Sequence, residues 1–455
     1  MTSSSLLFEL RVVTRLAVPA ALTQFGLMLT GVVDTMMVGH VGAAPLAALA
    51  LGHMWHWSFL ILCMGVLMGL DPLIAQAHGR GDERGCALAM QRGFVLAALL
   101  SVPGCIALAC TERVLLALGQ DPELAAMAQT YNMWKLPAVP ALLLFTVQRQ
   151  YLQGRAIMAP GTWAMVIGNV FNVFANWVLI WGKLGFPAMG LKGAAIATSL
   201  TTVLLPCIMW ILMHSLQLLP RPLAMDKRAW SRQGMWQVFK LGAPTAVHVG
   251  LESWAFSGSA LLAGWISVIA VSSHHVTLNL AALSFMLPLG ISIGAAARVG
   301  NLIGAQDALG MRRAVRASLI LSVTTMTLCG STLLLFARPL ATLYTSDPNL
   351  IDMVASLLPI VGAFQLSDGL QVVCAGMLRG MGKPRPGAIV NLLSYYVIGF
   401  PLAYVLAFNV HLGVRGIWLA LAVGVTFAAI MLLTWTLRTA KRELSELTHA
   451  VADAG

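Results

Sequence analysis

The feature that most constrains this chain is a succession of twelve long apolar runs, each free or nearly free of charge. They lie near 14–37, 46–76, 93–111, 125–148, 160–182, 191–216, 235–264, 270–297, 315–337, 351–378, 387–409 and 414–437. The hydrocarbon core of a bilayer is about 30 Å thick and takes roughly 20 apolar residues per helix. Twelve such runs with short turns use up the 455 residues and leave no stretch long enough for a separate soluble domain. The chain is 58% hydrophobic and 10% charged, whereas soluble domains are roughly a quarter charged. An outer-membrane barrel would show short alternating segments instead. The expected fold is an all-α membrane protein of twelve transmembrane helices.

The net charge of +11 invites a nucleic-acid reading, but the placement of the charges excludes it. Of the 28 Lys and Arg residues, 22 fall at every second boundary, from Arg11 and Arg15 through Arg80, Arg84 and Arg92 to Arg438, Lys441 and Arg442. The opposite loops are assigned Arg113, Lys135, Lys183, Lys192, Arg338 and Arg415. Alternation of this kind is the positive-inside pattern, and it predicts an even number of spans with both termini cytoplasmic. A nucleic-acid patch would cluster rather than alternate. The seven cysteines lie mostly inside apolar runs, with no disulfide framework or metal-ligand spacing. Pro19 interrupts the segment where a secretory signal would need an unbroken apolar helix, so the first run reads as a permanent span.

The two halves repeat one another at a fixed offset. Pro19 pairs with Pro244 at 225 residues, as do Gly79 and Asp82 of GRGD with Gly304 and Asp307 of GAQD. Asp121-Pro122 pairs with Asp347-Pro348 at 226, as do Leu152, Gly154 and Pro160 with Leu378, Gly380 and Pro386. Each pair alone is weak, because Gly, Pro and Asp are ordinary turn residues. Their common offset divides the chain into an N-lobe over 1–220, a polar cytoplasmic linker over 221–233 and a C-lobe over 234–455. Six spans per half puts both repeats in the same orientation, the parallel arrangement of transporters that rock two bundles around a central site. No P-loop is present, so uphill transport would need an ion gradient or a partner protein.

Four acidic residues lie inside the spans: Asp34, Asp71, Glu252 and Asp368. A charged side chain in mid-bilayer costs on the order of 3 kcal/mol on insertion scales, which makes each a functional candidate. Glu252 is 12 residues beyond Lys240, and Asp368 is 16 beyond Asp352 on the other side; at about 1.5 Å per residue both are deep in the membrane. A Glu252–Asp368 pair could exchange a proton, or bind Na⁺ with help from carbonyls and Gln365; a hydrogen bond bracing two helices is the plainer alternative. Asp34 with Asn172 and Asn176, which share a helix face at i and i+4, is the N-lobe candidate, against simple interhelical packing by the asparagines. Asp71, beside Pro72, suits a structural or gating role. His53 with His56, and His274 with His275, lack an intramembrane carboxylate at metal-like spacing, so no metal site is expected there. Trp254 and Phe364, one turn from the acids, are the aromatic candidates for a cavity that takes organic cations.

Several segments resemble one transporter family. DGLQVVCAGMLRGMGKPRPGAIVNLLSYYVIGFPLAYVLAFNVHLGVRGIWL, from Asp368 to Leu419, is similar to the tenth to twelfth spans of the multidrug and toxic compound extrusion (MATE) family. VVDTMMVGHVG (Val32–Gly42), LDPLIAQAHGRGD (Leu70–Asp82) and RVGNLIGAQD (Arg298–Asp307) resemble the ends of its first, second and eighth spans. The resemblance implies a two-lobed exporter that exchanges H⁺ or Na⁺ for amphipathic, often cationic, organic compounds and drugs. It places ion coupling on Asp34, Asn172 and Asn176 in the N-lobe and on Glu252 and Asp368 in the C-lobe. Some relatives carry Asp where Asn176 stands, which weakens the case for Na⁺ in the N-lobe. LESWAF around Glu252 and DGLQ at Asp368 resemble the branch with eukaryotic members and favour H⁺, with Na⁺ at Glu252 and Asp368 as the alternative.

The expectation is a multidrug antiporter, not an enzyme, that needs no cofactor beyond its coupling ion and binds no nucleic acid. It would work as a monomer among the lipids of a bacterial inner membrane. A lipid-linked precursor flippase of the same superfamily would line its cavity with several basic residues, and here the basic residues are expected outside the spans. A polytopic membrane enzyme would need a nucleophile or metal cluster, for which only the histidine pairs are available.

Overall fold

The computed structural model describes residues 5–219 and 225–452, so residues 221–224 of the expected linker lie outside the described residues. Every element among the described residues is helical. The spans are α1 (Leu6–Gly39), α2 (Ala43–Gly79), α3 (Glu83–Ala109), α4 in two pieces (Pro122–Trp134 and Ala138–Gly154), α5 (Ala159–Trp181), α6 (Gly190–Ser215), α7 (Arg232–Gly264), α8 (Val268–Gly304), α9 (Ala308–Leu335), α10 (Pro348–Gly380), α11 (Arg385–Asn409) and α12 (Val414–Ala452). The protein is a twelve-span, all-α, multi-pass membrane protein. Among the described residues, ten of these helices are long and apolar enough by length and composition to cross a membrane. The other two are α4, broken by a turn at Lys135–Pro137, and α7, diluted by polar residues such as His248, Glu252 and Ser253. Large side chains such as Val170, Ile211 and Leu328 remain exposed, which is the surface a lipid-facing helix needs.

The sequence repeat is a repeat of helix starts. Asp82 caps α3 by accepting the Gly85 amide at 2.8 Å, and Asp307 caps α9 by accepting the Gly310 amide at 2.8 Å. Asp121 and Asp347 cap α4 and α10 by accepting the amides of Glu123 and Asn349, each at 2.9 Å. These carboxylates satisfy amides that a helix start leaves without an intrahelical partner. Even the left-handed turn positions match across the repeat, with φ of 73° at Gly81 and 56° at Gln306, then 60° at Ala156 and 72° at Gly382.

Two compact units emerge, one of Leu22–His78 and Asp82–Ala246, the other of Met1–Ala21, Gly79–Gly81 and Val247–Gly455. The division runs inside α1 and α7, two residues after Pro19 and Pro244, and not in the segment 221–233. Each unit thus incorporates the first half of the other repeat's leading helix. In the first, a Cβ on Gly242 of α7 would collide with the Val66 carbonyl of α2, and one on Gly69 with the Val238 carbonyl. In the second, Gly290 of α8 lies against Ala17 and Ala21 of α1. The same unit holds a bidentate ion pair in which Arg298 donates to the fully buried Glu9 carboxylate at 2.7 and 2.8 Å. The described part of the linker forms a short turn, Lys227–Trp230, capped by Asp226, whose amide is anchored on the Gln91 side chain of α3 at 2.9 Å.

Candidate functional site

In the C-lobe, three helices bring polar side chains to one place. Helix α7 carries His248 and Glu252, one turn apart, with 3.9 Å between His248 Nε2 and Glu252 Oε2. Helix α10 carries Gln365, Asp368 and Gln371 at intervals of three, a stripe down one face, and all three are buried. Helix α11 is π-helical over Leu392–Gly399, a wide-turned geometry found mostly as local insertions at functional sites. That turn carries the buried Tyr395 and its neighbour Tyr396. The Gln371 amide donates both to Glu252 Oε1 at 2.8 Å and to the Tyr395 hydroxyl at 3.1 Å. Asn391 and Tyr396 fasten α11 to α7 by donating to the carbonyls of His248 and Leu251, at 3.2 and 3.1 Å.

Asp368 is 7% exposed, interacts electrostatically with Glu252, and has no hydrogen-bond partner at Oδ1. A bare carboxylate removed from water costs several kcal/mol unless something compensates it. Two in one low-dielectric site repel each other until a proton, a metal cation or an organic cation joins them. Gln365 instead donates to Ser284 of α8. Phe364 is 4% exposed and stacks on Trp418, at 6.1 Å between ring centroids, as part of the lobe's apolar core. Trp254 is 41% exposed and does not join the carboxylate network.

In the N-lobe, Asp34 of α1 is buried and accepts hydrogen bonds from Asn176 of α5 at 2.7 Å and from Thr198 of α6. Asn176 also donates to Asn172 at 3.2 Å. The structure therefore brings together all three N-lobe residues singled out in the sequence and adds Thr198. It also corrects one placement. Lys135 is not in an outer loop but is 4% exposed at the break in α4, donating to the Tyr131 hydroxyl at 3.4 Å and acting electrostatically on Asp34. Arg149 is likewise buried within α4, donating to Gln24 of α1 at 3.3 Å and acting on Asp71. The expectation that basic residues avoid the spans thus fails at these two positions. Lys135 lies in the run 125–148, whose hydropathy is set by its neighbours, and Arg149 directly follows that run.

Thr198, Lys135, His248, Gln371 and Tyr395 were not singled out in the sequence. His248 at i−4 from Glu252 and Gln371 at i+3 from Asp368 are visible as same-face polar neighbours, but Thr198 carries no local signal. Among the described residues no group of three or more His, Cys, Asp or Glu side chains is placed to hold a metal ion. His53 stacks on Trp57 at 6.3 Å, and His274 packs on Trp418 at 5.2 Å and meets Ser259.

A repeated twelve-helix bundle with buried carboxylates in both lobes is the architecture of a membrane transporter. The MatE family model matches residues 19–178 and 244–405, two copies whose starts are the same 225 residues apart as the prolines, and the chain belongs to that family. It is 31% identical over 436 residues to the multidrug resistance protein NorM of Photobacterium profundum, covering 93% of this chain and 94% of that protein. It is 34% identical over 447 residues to a probable NorM of Mesorhizobium japonicum, with 94% of each covered. Mouse multidrug and toxin extrusion protein 2 is 31% identical over 440 residues, covering 95% of this chain and 74% of that protein. The crystal structure of the eukaryotic MATE transporter AtDTX14 superposes with a TM-score of 0.88 at 24% identity, covering 97% of this chain and 99% of that one.

Proposed function

We propose that this protein is a secondary active multidrug efflux antiporter that exports amphipathic, often cationic organic compounds in exchange for protons. The observation that carries the reading is the Glu252–Gln371–Tyr395 network, in which Gln371 and Tyr395 are buried and Glu252 partly so, with the buried Asp368 carboxylate on the same helix as Gln371. The full-length relatives named as multidrug resistance proteins support the substrate class.

In the proposed cycle, a state open to the cytoplasm takes up the drug. After the protein reopens outward, protons arriving on the C-lobe carboxylates displace it and drive the return. Coupling requires only that drug and proton favour different states, because a ligand shifts an equilibrium by its differential affinity and no more. Gln371 holds Glu252 and Tyr395 in one arrangement, so a change at the carboxylate is passed to the π-helical turn of α11. Asp34, with Asn172, Asn176 and Thr198, forms the N-lobe part of the machinery. The basic residues at alternate boundaries support cytoplasmic termini, and the bacterial relatives support a bacterial inner membrane. We take the working unit to be a monomer.

The test is dye efflux from proteoliposomes under a pH gradient or a Na⁺ gradient imposed separately, with wild type and Glu252→Gln. Efflux driven by the pH gradient and lost in the variant is the expected result. Efflux driven by Na⁺ alone overturns proton coupling, and no efflux under either gradient overturns the antiporter reading.

A further inference from the structure

The N-lobe cluster holds a charged side chain that the proposed cycle does not use. Lys135 is 4% exposed in a segment expected to lie within the membrane, where lysine normally extends to the interface. Three features hold it in place. It caps the C-terminal end of Pro122–Trp134, its amide donating to the Asn132 carbonyl at 3.1 Å, and such an end carries partial negative charge that favours an ammonium. Its Nζ donates to the Tyr131 hydroxyl and lies 4.9 Å from the centre of that ring. Tyr131 in turn clusters with Val38, Ile180 and Ala194, each one helical turn from Asp34, Asn176 and Thr198 respectively, which brings the ammonium within electrostatic reach of the Asp34 carboxylate.

Around Asp34 the other groups are oxygen-rich. The Thr198 hydroxyl and the Asn176 amide contact the carboxylate, and the Asn172 carbonyl receives the same amide. Asn176 Oδ1 is buried with no partner. A carboxylate, amide oxygens and a hydroxyl are the hard donors that alkali and alkaline-earth cations prefer. The cluster therefore has the ligand chemistry of a small-cation site, with a covalently attached ammonium held on Tyr131 one helical turn away.

We propose that Lys135 is the resident counter-cation of Asp34, a specificity-determining residue that keeps Na⁺ out of the N-lobe and leaves cation exchange to the Glu252–Asp368 site. This rests on the antiport reading above. A second unit charge brought within several Å of the ammonium, at an effective dielectric of about 20, is repelled strongly enough to cost at least ~10-fold in affinity. Removing the ammonium while keeping the length and unbranched shape of the side chain, as in Lys135→Met, relieves that repulsion and exposes the oxygen ligands to an external cation.

The experiment is thermal unfolding and radioactive sodium binding on the purified full-length protein, in NaCl against KCl at equal ionic strength. Wild type and Asp34→Asn should respond to Na⁺ equally. Lys135→Met should gain a Na⁺-specific rise in unfolding temperature and at least ~10-fold tighter sodium binding, both erased in Lys135→Met/Asp34→Asn, while Lys135→Arg behaves as wild type. Sodium binding by wild type that disappears in Asp34→Asn overturns the proposal, as does a folded Lys135→Met that gains no sodium response. Should Lys135→Met fail to fold, the comparison of wild type with Asp34→Asn still decides. Binding is read without transport, so a failure of dye efflux would overturn the antiport reading and leave this result standing.

Discussion

Gln371 donates to Glu252 at 2.8 Å from a position 119 residues further along the chain, and the same amide nitrogen reaches Tyr395 at 3.1 Å. One amide thus ties a carboxylate on α7 to a π-helical turn on α11 through α10. The network gives the acids of the C-lobe a defined geometry, and several consequences can be measured.

Glu252→Gln and Asp368→Asn preserve shape and remove charge, so both should insert into the membrane at wild-type levels. Each should lose efflux by more than ~10-fold if it carries the coupling ion, in keeping with the functional default for intramembrane acids. Resistance to cationic dyes in a pump-deficient bacterium is the readout, and wild-type efflux by both variants would sink the C-lobe site. Asp34→Asn should fail in the same assay.

Gln371→Ala should weaken transport more than Tyr395→Phe does. The first deletes both hydrogen bonds of the bridging amide and leaves the Tyr395 hydroxyl and a Glu252 oxygen without that donor, whereas the second keeps the Gln371–Glu252 bond and removes only the hydroxyl that meets Gln371 and Glu252. A net hydrogen bond contributes about 0.5–1.5 kcal/mol, so Tyr395→Phe should lower efflux only ~2- to 10-fold. Initial efflux rates at matched protein density would separate them, and equal losses would argue against the bridging role of Gln371.

Arg298→Ala should destabilise the protein more than Glu9→Ala. The arginine side chain is 22% exposed and the Glu9 carboxylate 0%, so the first change leaves a buried anion and the second leaves a cation with some access to solvent. Breaking a buried pair by removing one partner costs about 3–5 kcal/mol, and Arg298→Ala should sit near the top of that range. Unfolding temperatures of the purified variants test the order.

Gly81 and Gln306 occupy equivalent left-handed turns, and nothing crowds the glycine. A non-glycine residue held in that conformation costs about 1–3 kcal/mol in compensated strain. Gln306→Gly should therefore raise the unfolding temperature and Gly81→Ala should lower it. Gly242→Ala should do far more damage, because its added carbon meets the Val66 carbonyl itself; folded protein at wild-type yield would contradict that close approach.

Much of this molecule was legible beforehand. The fold was: twelve charge-poor runs correspond to the twelve spans, and the aspartates that mark the repeat, Asp82 with Asp307 and Asp121 with Asp347, prove to be matching helix caps. Asp34, Asn172 and Asn176 do meet, and Glu252 is held by Gln371, three residues beyond Asp368 on the same helix. Phe364 was placed beside a cavity because it lies one turn from Asp368, yet it stacks on Trp418. A helix has several faces within one turn, and spacing alone does not say which face a neighbour occupies.

The division between the two kinds of information has a physical cause. Hydropathy, capping and turn chemistry act within a few residues, so the sequence by itself determined how many spans there are, which turns separate them and how the halves repeat. Only the tertiary structure decided that Thr198 reaches Asp34 across 164 residues and that Tyr395 joins Glu252 through Gln371. The tertiary structure also placed Lys135 inside the N-lobe rather than outside it. Those partners are chosen by the packing of whole helices against one another, and a polar side chain in an apolar run carries no local mark of the one it will meet.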